Sequence, residues 1–442
     1  MTAAAAPAGG GAWPRPGDWS TFTELRRLQL SALPATLSRA QRSPFYATRV
    51  GIGRTTLDGL RPTLKSDLRD AYPFGMLAVP GRDVASYHES SGTTGEPTAS
   101  YLTENDWAET ADRFNRSAAA LTAEDRVLVK TPYSMATTAH QMHHAARAAG
   151  AMVVPADNRT SMMPYRRLLR LIRDVRPTVT WSLPSEPLLW AAADDALGAG
   201  TRAAAAAGHG PRALVVAGEP LSTAKRQRIS ELWGGAKVIE DYGSTETTSL
   251  AGECAHGTLH AWADRFLFEV QDPATGDIAP TGRGRLLVTT LYREAMPLLR
   301  YDTGDLVELT ERDCPCGWTL PTVRVHGRDG AGITAAGRAL RQHDVDELVY
   351  RLPVEYGAHM WRGVADADRL RLVVEAREGH EEIAEKLRAG AAETLGIPVE
   401  VTVGGPGTLI SPGALLREDQ FVKPRFLYEA ADAREEGWTY LD

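Results

Sequence analysis

Three short clusters hold residue types that could handle a nucleotide. The densest is HESSGTTGEPT at residues 88–98, where two glycines stand among closely spaced hydroxyl residues. Glycine lets backbone N–H groups approach a phosphate closely, and the hydroxyls of Ser90, Ser91, Thr93 and Thr94 add donors. The loop lacks the Gly-Lys-Ser/Thr ending of a Walker A motif, and read alone it also fits a surface Gly/Ser loop. The second cluster is EDYGSTETTS at 240–249, after a strand-like run that ends at Asp241. Open α/β sheets bind ligands at the carboxyl ends of such strands. There Tyr242 could stack on a flat base, Thr245 donate to phosphate and Glu246 hold Mg²⁺ through oxygen, although a capped helix start fits the same letters. The third is LLRYDTGD at 298–305. Its Asp305 reads as a turn residue after an apolar strand, able to accept two hydrogen bonds from a ribose diol.

The cysteines form a separate constellation. Cys314 and Cys316 flank a proline, and Cys254 and His260 lie earlier in GECAHGTLHAWAD. Three thiolates and an imidazole suit a tetrahedral, structural Zn²⁺, with His256 as the competing ligand. His140, His143 and His144 share a helical face by spacing, a pattern that also fits solvated or locally satisfied histidines.

These residues must be positioned by a largely parallel sheet. Strand-like runs at 126–130, 151–155, 177–181, 212–217 and 237–241 alternate with helical ones at 138–149, 165–175 and 222–233. Strand–helix–strand units at this spacing predict an α/β fold with helices flanking parallel strands. Ahead of them, residues 19–49 read as one amphipathic helical stretch. After Asp264, short strands and Gly/Pro turns predict a β-rich subdomain. The glycine-rich GRDGAGITAAG near Arg328 marks a hinge, followed by helix, strand, helix and strand in a small C-terminal α+β domain. The expected domains are 1–327 for nucleotide and acid and 328–442 for the small domain.

With the three clusters in this order, the sequence resembles the phenylacetate-CoA ligase family of adenylate-forming enzymes. The resemblance also runs through SPFYATR at 43–49, DLRDAYPFGMLAVP at 67–80, LYREAMPLLRYDTGD and HGRDG at 326–330, most of the first 330 residues. It implies a phosphate loop at Ser90, Ser91, Gly92, Thr93, Thr94 and Gly95. It implies adenine on Tyr242, with Asp241, Gly243, Gly218 and Glu219 in the nucleotide set. Glu246 would take Mg²⁺, Asp305 the ribose and Arg328 a further nucleotide contact. Tyr133, Ser134 and Met135, with Trp181, fall in loops where the family lines its acyl pocket. Some members carry a similar cysteine set.

The implied activity is ATP-dependent formation of an acyl adenylate from a carboxylic acid, an aromatic one in this family, and transfer to coenzyme A. Thr245 and Glu246 would serve the first step, together with a C-terminal lysine that stabilises developing charge, here Lys423. Three departures stand out. Glu96 occupies the place where the loop usually carries lysine, Lys423 sits about two residues beyond a strict match, and GAGITAAGRALRQ replaces the usual residues after the hinge. In such enzymes the C-terminal domain turns about that hinge between half-reactions. The altered hinge therefore keeps another acceptor open: an amine, a hydroxyl, a carrier-protein thiol or another small nucleophile.

The bulk properties agree. The chain has 442 residues, 43% of them hydrophobic, which exceeds one ordinary core and predicts more than one compact unit. A formal charge of −7 with no basic block excludes the footprint of a nucleic-acid binder. No apolar run reaches the length that spans a bilayer, and the Ala/Gly/Pro-rich start lacks the pattern of a signal peptide, so a cytoplasmic enzyme, monomeric or homodimeric, is expected.

Overall fold

In the computed structural model, residues 13–90, 96–158, 162–330, 332–410 and 427–429 are described, and the chain divides into two compact units. The first comprises residues up to Ala123 with Pro132–Ala151 and Asp241–Asp329; the second comprises Glu124–Thr131, Met152–Glu240 and everything from Gly330. Among the described residues no helix is long and apolar enough to cross a membrane.

The second unit holds the expected parallel sheet. Its strands run in the order Lys237–Ser244 (whose first half belongs here), Ala213–Val216, Val179–Ser182, Arg126–Lys130 and Met152–Pro155, every pair parallel. Val179–Ser182 and Ala213–Val216 are buried at every position, as expected for strands covered on both faces. Helices Tyr165–Val175, Glu186–Leu197 and Thr223–Leu232 supply Leu168, Leu169, Ile172, Leu188, Ile229 and Leu232 to one core. Ser222 caps the last of these by accepting the Lys225 N–H at 3.1 Å. Trp181 sits inside its strand, fully buried, rather than in the loop beyond it. That corrects the reading of Trp181 as a loop residue, and the burial of a central strand on both faces is the reason.

From Gly330 onward the chain adds to the same core. The expected helix–strand–helix–strand order is incomplete. A hairpin of Ile333–Ala335 and Arg338–Leu340 comes first, because Ala336 and Gly337 both adopt positive φ (48° and 75°) and make a tight two-residue turn. Helix Gln342–Val349 follows, then two strands, Met360–Ala365 and Leu370–Glu375, in place of one, then helix His380–Thr394 and strand Val399–Gly404. Inside this unit the Lys225 ammonium lies 3.5 Å from the Asp346 carboxylate with neither side chain exposed, and Trp361 donates to Asp346 at 3.0 Å.

The first unit is built on antiparallel strands, in the order Ile278–Ala279, Phe266–Gln271, Gly282–Thr290, Tyr301–Thr310, Thr322–Arg328, Leu259–Ala261, Thr248–Glu253 and the second half of Lys237–Ser244. The β-rich reading after Asp264 therefore holds. The single helix expected over 19–49 is two: Phe22–Ala40, capped by Thr21, and Pro44–Ala47. Ser43 accepts the Tyr46 N–H, and proline at the first helical position of the second piece restarts rather than continues the helix.

Candidate active site

Two hairpins of the first unit carry the 88–98 and 240–249 clusters. The strand Ser86–Glu89 pairs antiparallel with Ala99–Leu102, and between them lies the 90–98 loop. Ser91, Gly92, Thr93, Thr94 and Gly95 lie outside the described residues. The stem of the loop is closed by Ser90 N–H to Thr98 O and Thr98 N–H to Ser90 Oγ, both 3.0 Å. Glu96 is exposed, and its carbonyl accepts from Arg69 Nε at 3.1 Å. Its carboxylate therefore adds no buried charge to the stem.

The second hairpin corrects the reading of 240–249. The strand does not stop at Asp241 and no helix starts there; it runs to Ser244, turns, and returns as Thr248–Glu253. Gly243 permits this, because a Cβ at that position would collide with the Thr248 carbonyl oxygen. Asp241 is buried and accepts from the Ser249 hydroxyl. The turn presents Thr245 and Glu246. Glu246 is 2% exposed, accepts from Thr98 Oγ1 at 2.7 Å, and pairs with Lys65 Nζ at 3.3 Å. Burial opposes its charge, but the Lys65 ammonium and the Thr98 hydroxyl outweigh it and hold the Glu246 pKa below the usual glutamate value. Neither Lys65 nor its pairing with Glu246 was singled out by motif. The helix Lys65–Asp70 that carries Lys65 gives the nearest signal, since it overlaps the DLRDAY segment.

Asp305 is also corrected, from a turn to the interior of strand Tyr301–Thr310, where the pairing register with Thr322–Arg328 slips next to it. Gly304 at φ 73° bends the backbone there. The result is a compact polar set. Tyr242 donates to Asp305 Oδ2 at 2.6 Å, Arg328 Nε lies 3.0 Å from Asp305 Oδ1, and Arg328 Nη1 donates to Thr303 O at 2.8 Å. Burial, then the Asp305 carboxylate, push the Tyr242 hydroxyl well above its ordinary pKa, so it remains a donor. Burial likewise lifts Asp305, against the pull of Arg328.

Tyr133, Ser134 and Met135 lie in the loop before helix Thr138–Ala148, with Ser134 and Met135 exposed. This loop is bonded to both hairpins: Glu89 N–H donates to Met135 O at 2.9 Å, and Thr137 Oγ1 to Thr245 O at 3.4 Å. Gly218 and Glu219, like Trp181, belong to the second unit, where Glu219 accepts from both the N–H and the hydroxyl of Ser185. Lys423 lies outside the described residues.

The cysteine reading is well matched by geometry. The ligand atoms of Cys254, His260, Cys314 and Cys316 all lie within 4.8 Å of one another. Cys254 Sγ and Cys314 Sγ are 3.9 Å apart and Cys316 Sγ lies 3.5 Å from His260 Nε2. Zn–S bonds of about 2.3 Å at tetrahedral angles put thiolates roughly 3.8 Å apart, so the spacing fits zinc. His260 Nδ1 donates to Leu320 O at 2.9 Å, which leaves the Nε2 lone pair for a metal. His256 is exposed and outside the cluster, so His260 is the imidazole that lies with the three thiols.

With this geometry in view, the sequence comparisons are specific. The profile described as AMP-binding enzyme matches residues 55–283, more than half of the chain, so the protein is an enzyme of the AMP-forming, acid-activating class. Phenylacetate-coenzyme A ligase of Thermus thermophilus is 31% identical over 429 residues, spanning 87% of this chain and 93% of the relative. The Aromatoleum evansii enzyme of the same name is 30% identical over 435 residues, spanning 89% and 94%. The chain belongs to the phenylacetate-CoA ligase-like family of adenylate-forming enzymes. Among solved structures, a 2-hydroxyisobutyryl-CoA ligase in complex with its acyl adenylate superposes with a TM-score of 0.79 at 22% identity, covering 95% of this chain and 93% of that one, a likeness of fold.

Proposed function

We propose that the protein activates an aromatic carboxylic acid with ATP and transfers the acyl group to coenzyme A. A carboxylate is a poor electrophile because its charge is delocalised over the carbon's two oxygens. Its oxygen attacks the α-phosphorus of ATP, the bond to the bridging oxygen breaks, and pyrophosphate leaves with the electron pair. The resulting acyl adenylate is attacked by the coenzyme A sulfur as the thiol proton is lost to solvent, and AMP departs.

The observation that carries this reading is Glu246, a buried but ionised carboxylate bonded to Thr98 at the stem of the 90–98 loop. Its oxygen chemistry fits Mg²⁺, which binds through one or two carboxylates and substrate phosphates and, when bound, offsets charge on the pyrophosphate. Glu246 and the Thr245 hydroxyl would hold that ion and the α-phosphate. Lys65, paired with Glu246, is placed to exchange its carboxylate for phosphate oxygens. Tyr242 would cover the adenine, and Asp305, held by Tyr242 and Arg328, would accept the ribose hydroxyls. The Lys423 ammonium would stabilise the charge that develops in the adenylation step. The Cys254, His260, Cys314, Cys316 cluster would hold a structural Zn²⁺.

The reaction is tested by incubating the protein with ATP, Mg²⁺, coenzyme A and a panel of aromatic acids. Equal yields of acyl-CoA and AMP are expected, whereas an adenylate-derived product unchanged by coenzyme A would contradict the assigned acceptor. Elemental analysis of the purified protein should return about one zinc per chain; less than half an equivalent would count against the metal.

A further inference from the structure

Four histidines gather within the first unit around the loop that is bonded to both hairpins. His88 uses both ring nitrogens: Nδ1 lies 3.1 Å from Met135 O and Nε2 lies 2.8 Å from Ser86 Oγ, which also accepts from Trp107 Nε1. Burial, then the neighbouring His140, push its pKa down to about 4, so it is a neutral strut. His144 stacks on Trp107 with ring centroids 4.6 Å apart. Those two are accounted for by packing.

His140 and His143 pack on rings as well, His140 against His88 at 5.0 Å and Tyr133 at 5.4 Å and His143 against Tyr133 at 6.0 Å, but their polar contacts use only one ring nitrogen each. Both are half-buried on helix Thr138–Ala148 and both meet Tyr133: His140 Nε2 lies 2.9 Å from the Tyr133 carbonyl, and His143 Nδ1 lies 3.2 Å from the Tyr133 hydroxyl. A carbonyl only accepts, so His140 carries its hydrogen on Nε2, and in the neutral ring Nδ1 is then a lone-pair acceptor. Burial and His140 lower the His143 pKa, so the His143 ring is neutral near pH 7. When the Tyr133 hydroxyl donates to Nδ1, the Nε2 of His143 is a donor. Neither outer nitrogen bonds another described residue. The pair belongs to no cluster that could hold a metal among the described residues, where only the cysteine set qualifies.

We infer that His140 and His143 recognise a hydroxyl or amino substituent on the ring of the acid, an inference that rests on the acid-activating reading above. An acid whose carboxylate approaches Thr245 and Glu246 has the 133–137 loop as its neighbour, since that loop is bonded to Thr245 and to Glu89. The ring then lies against Met135, 44% exposed with φ 59°, and the edge of Tyr133. An acceptor beside a donor complements a group with both functions.

The test is acid-dependent ATP/pyrophosphate exchange with benzoate and phenylacetate against their hydroxy and amino derivatives, in wild type, His140→Leu and His143→Gln. The readout is the ratio of kcat/KM for substituted over unsubstituted acid within each protein, which cancels any general loss of activity. Wild type should favour a substituted acid by about tenfold or more, because its absence leaves polar groups unpaired. The ratio should fall close to one in His140→Leu and part of the way in His143→Gln, the amide retaining a donor. If His140→Leu does not fold, the partial fall in His143→Gln carries the test. A wild-type ratio near one, or one unchanged in the folded variants, overturns the inference alone. Exchange with no acid at all would overturn the acid-activating reading, and this inference with it.

Discussion

The first unit buries two carboxylates that look alike by composition and behave in opposite ways. Asp106 accepts from three backbone N–H groups, of Thr103, Glu294 and Ala295, at 2.7 to 3.0 Å. Glu246 is held mainly by side chains, the Thr98 hydroxyl and the Lys65 ammonium. Burial dominates at Asp106 and raises its pKa; at Glu246 Lys65 and the hydroxyls prevail and lower it. Backbone donors are fixed by the fold and cannot leave, so Asp106 serves as a clamp on the Glu104–Phe114 helix and the 293–295 segment. Side-chain donors can move, so Glu246 is a charge that can be handed to a ligand.

The largest effects should separate the two residues. Glu246→Gln is expected to lower acid-dependent pyrophosphate exchange by about a thousandfold, the upper range for losing one preorganised electrostatic contact, with a thermal midpoint within a few degrees of wild type. Asp106→Asn should do the reverse, destabilising the fold by about 2 kcal/mol while exchange per folded molecule persists. Thermal denaturation and exchange assays on both variants would show whether the division is real.

Lys65→Met sharpens the comparison. Without the ammonium, burial of Glu246 is opposed only by its hydrogen bonds and its pKa rises, so the acid limb of the pH–rate profile should move to higher pH. Exchange at pH 6 should drop by about tenfold and recover substantially at pH 8. An unshifted limb would mean that Lys65 does not set the charge of Glu246.

Smaller effects are expected where a contact is lost without a charge. Tyr242→Phe removes the hydrogen bond to Asp305 and should raise the KM for ATP by about five- to tenfold with little change in kcat. His88 gives the mildest signature. Its folded pKa, about 4, lies below its unfolded value, so the unfolded chain binds the extra proton first as pH falls. Its stability contribution is complete above about pH 6.5 and is lost as pH falls toward 4. His88→Phe should flatten that part of the pH dependence of the thermal midpoint.

Much of this site is readable from the chain because its parts are short and local. Tyr242, Thr245 and Glu246 lie within five positions, and the strand–helix rhythm of 126–241 follows burial periodicity. The partners are harder to see. Thr98 meets Glu246 across 148 residues, and no spacing rule links Lys65 to it. Asp305 looked like a turn residue because Asp-Thr-Gly-Asp is turn chemistry, yet long-range pairing with Thr322–Arg328 draws it into a strand. The Gly243 hairpin was hidden for the same reason: a glycine reads as a breaker until the returning strand that needs the close approach is known. The hairpin at 333–340 is not legible, because Ala336 adopts a positive φ that alanine does not signal.

The most direct test of the account is ATP/pyrophosphate exchange measured side by side in wild type and Glu246→Gln across a panel of aromatic acids, with folding of both confirmed. Robust acid-dependent exchange in wild type and its near-complete loss in the folded variant is the predicted result. Equal exchange in the two proteins would contradict the central claim that the buried, ionised Glu246 is the charge on which acid activation depends.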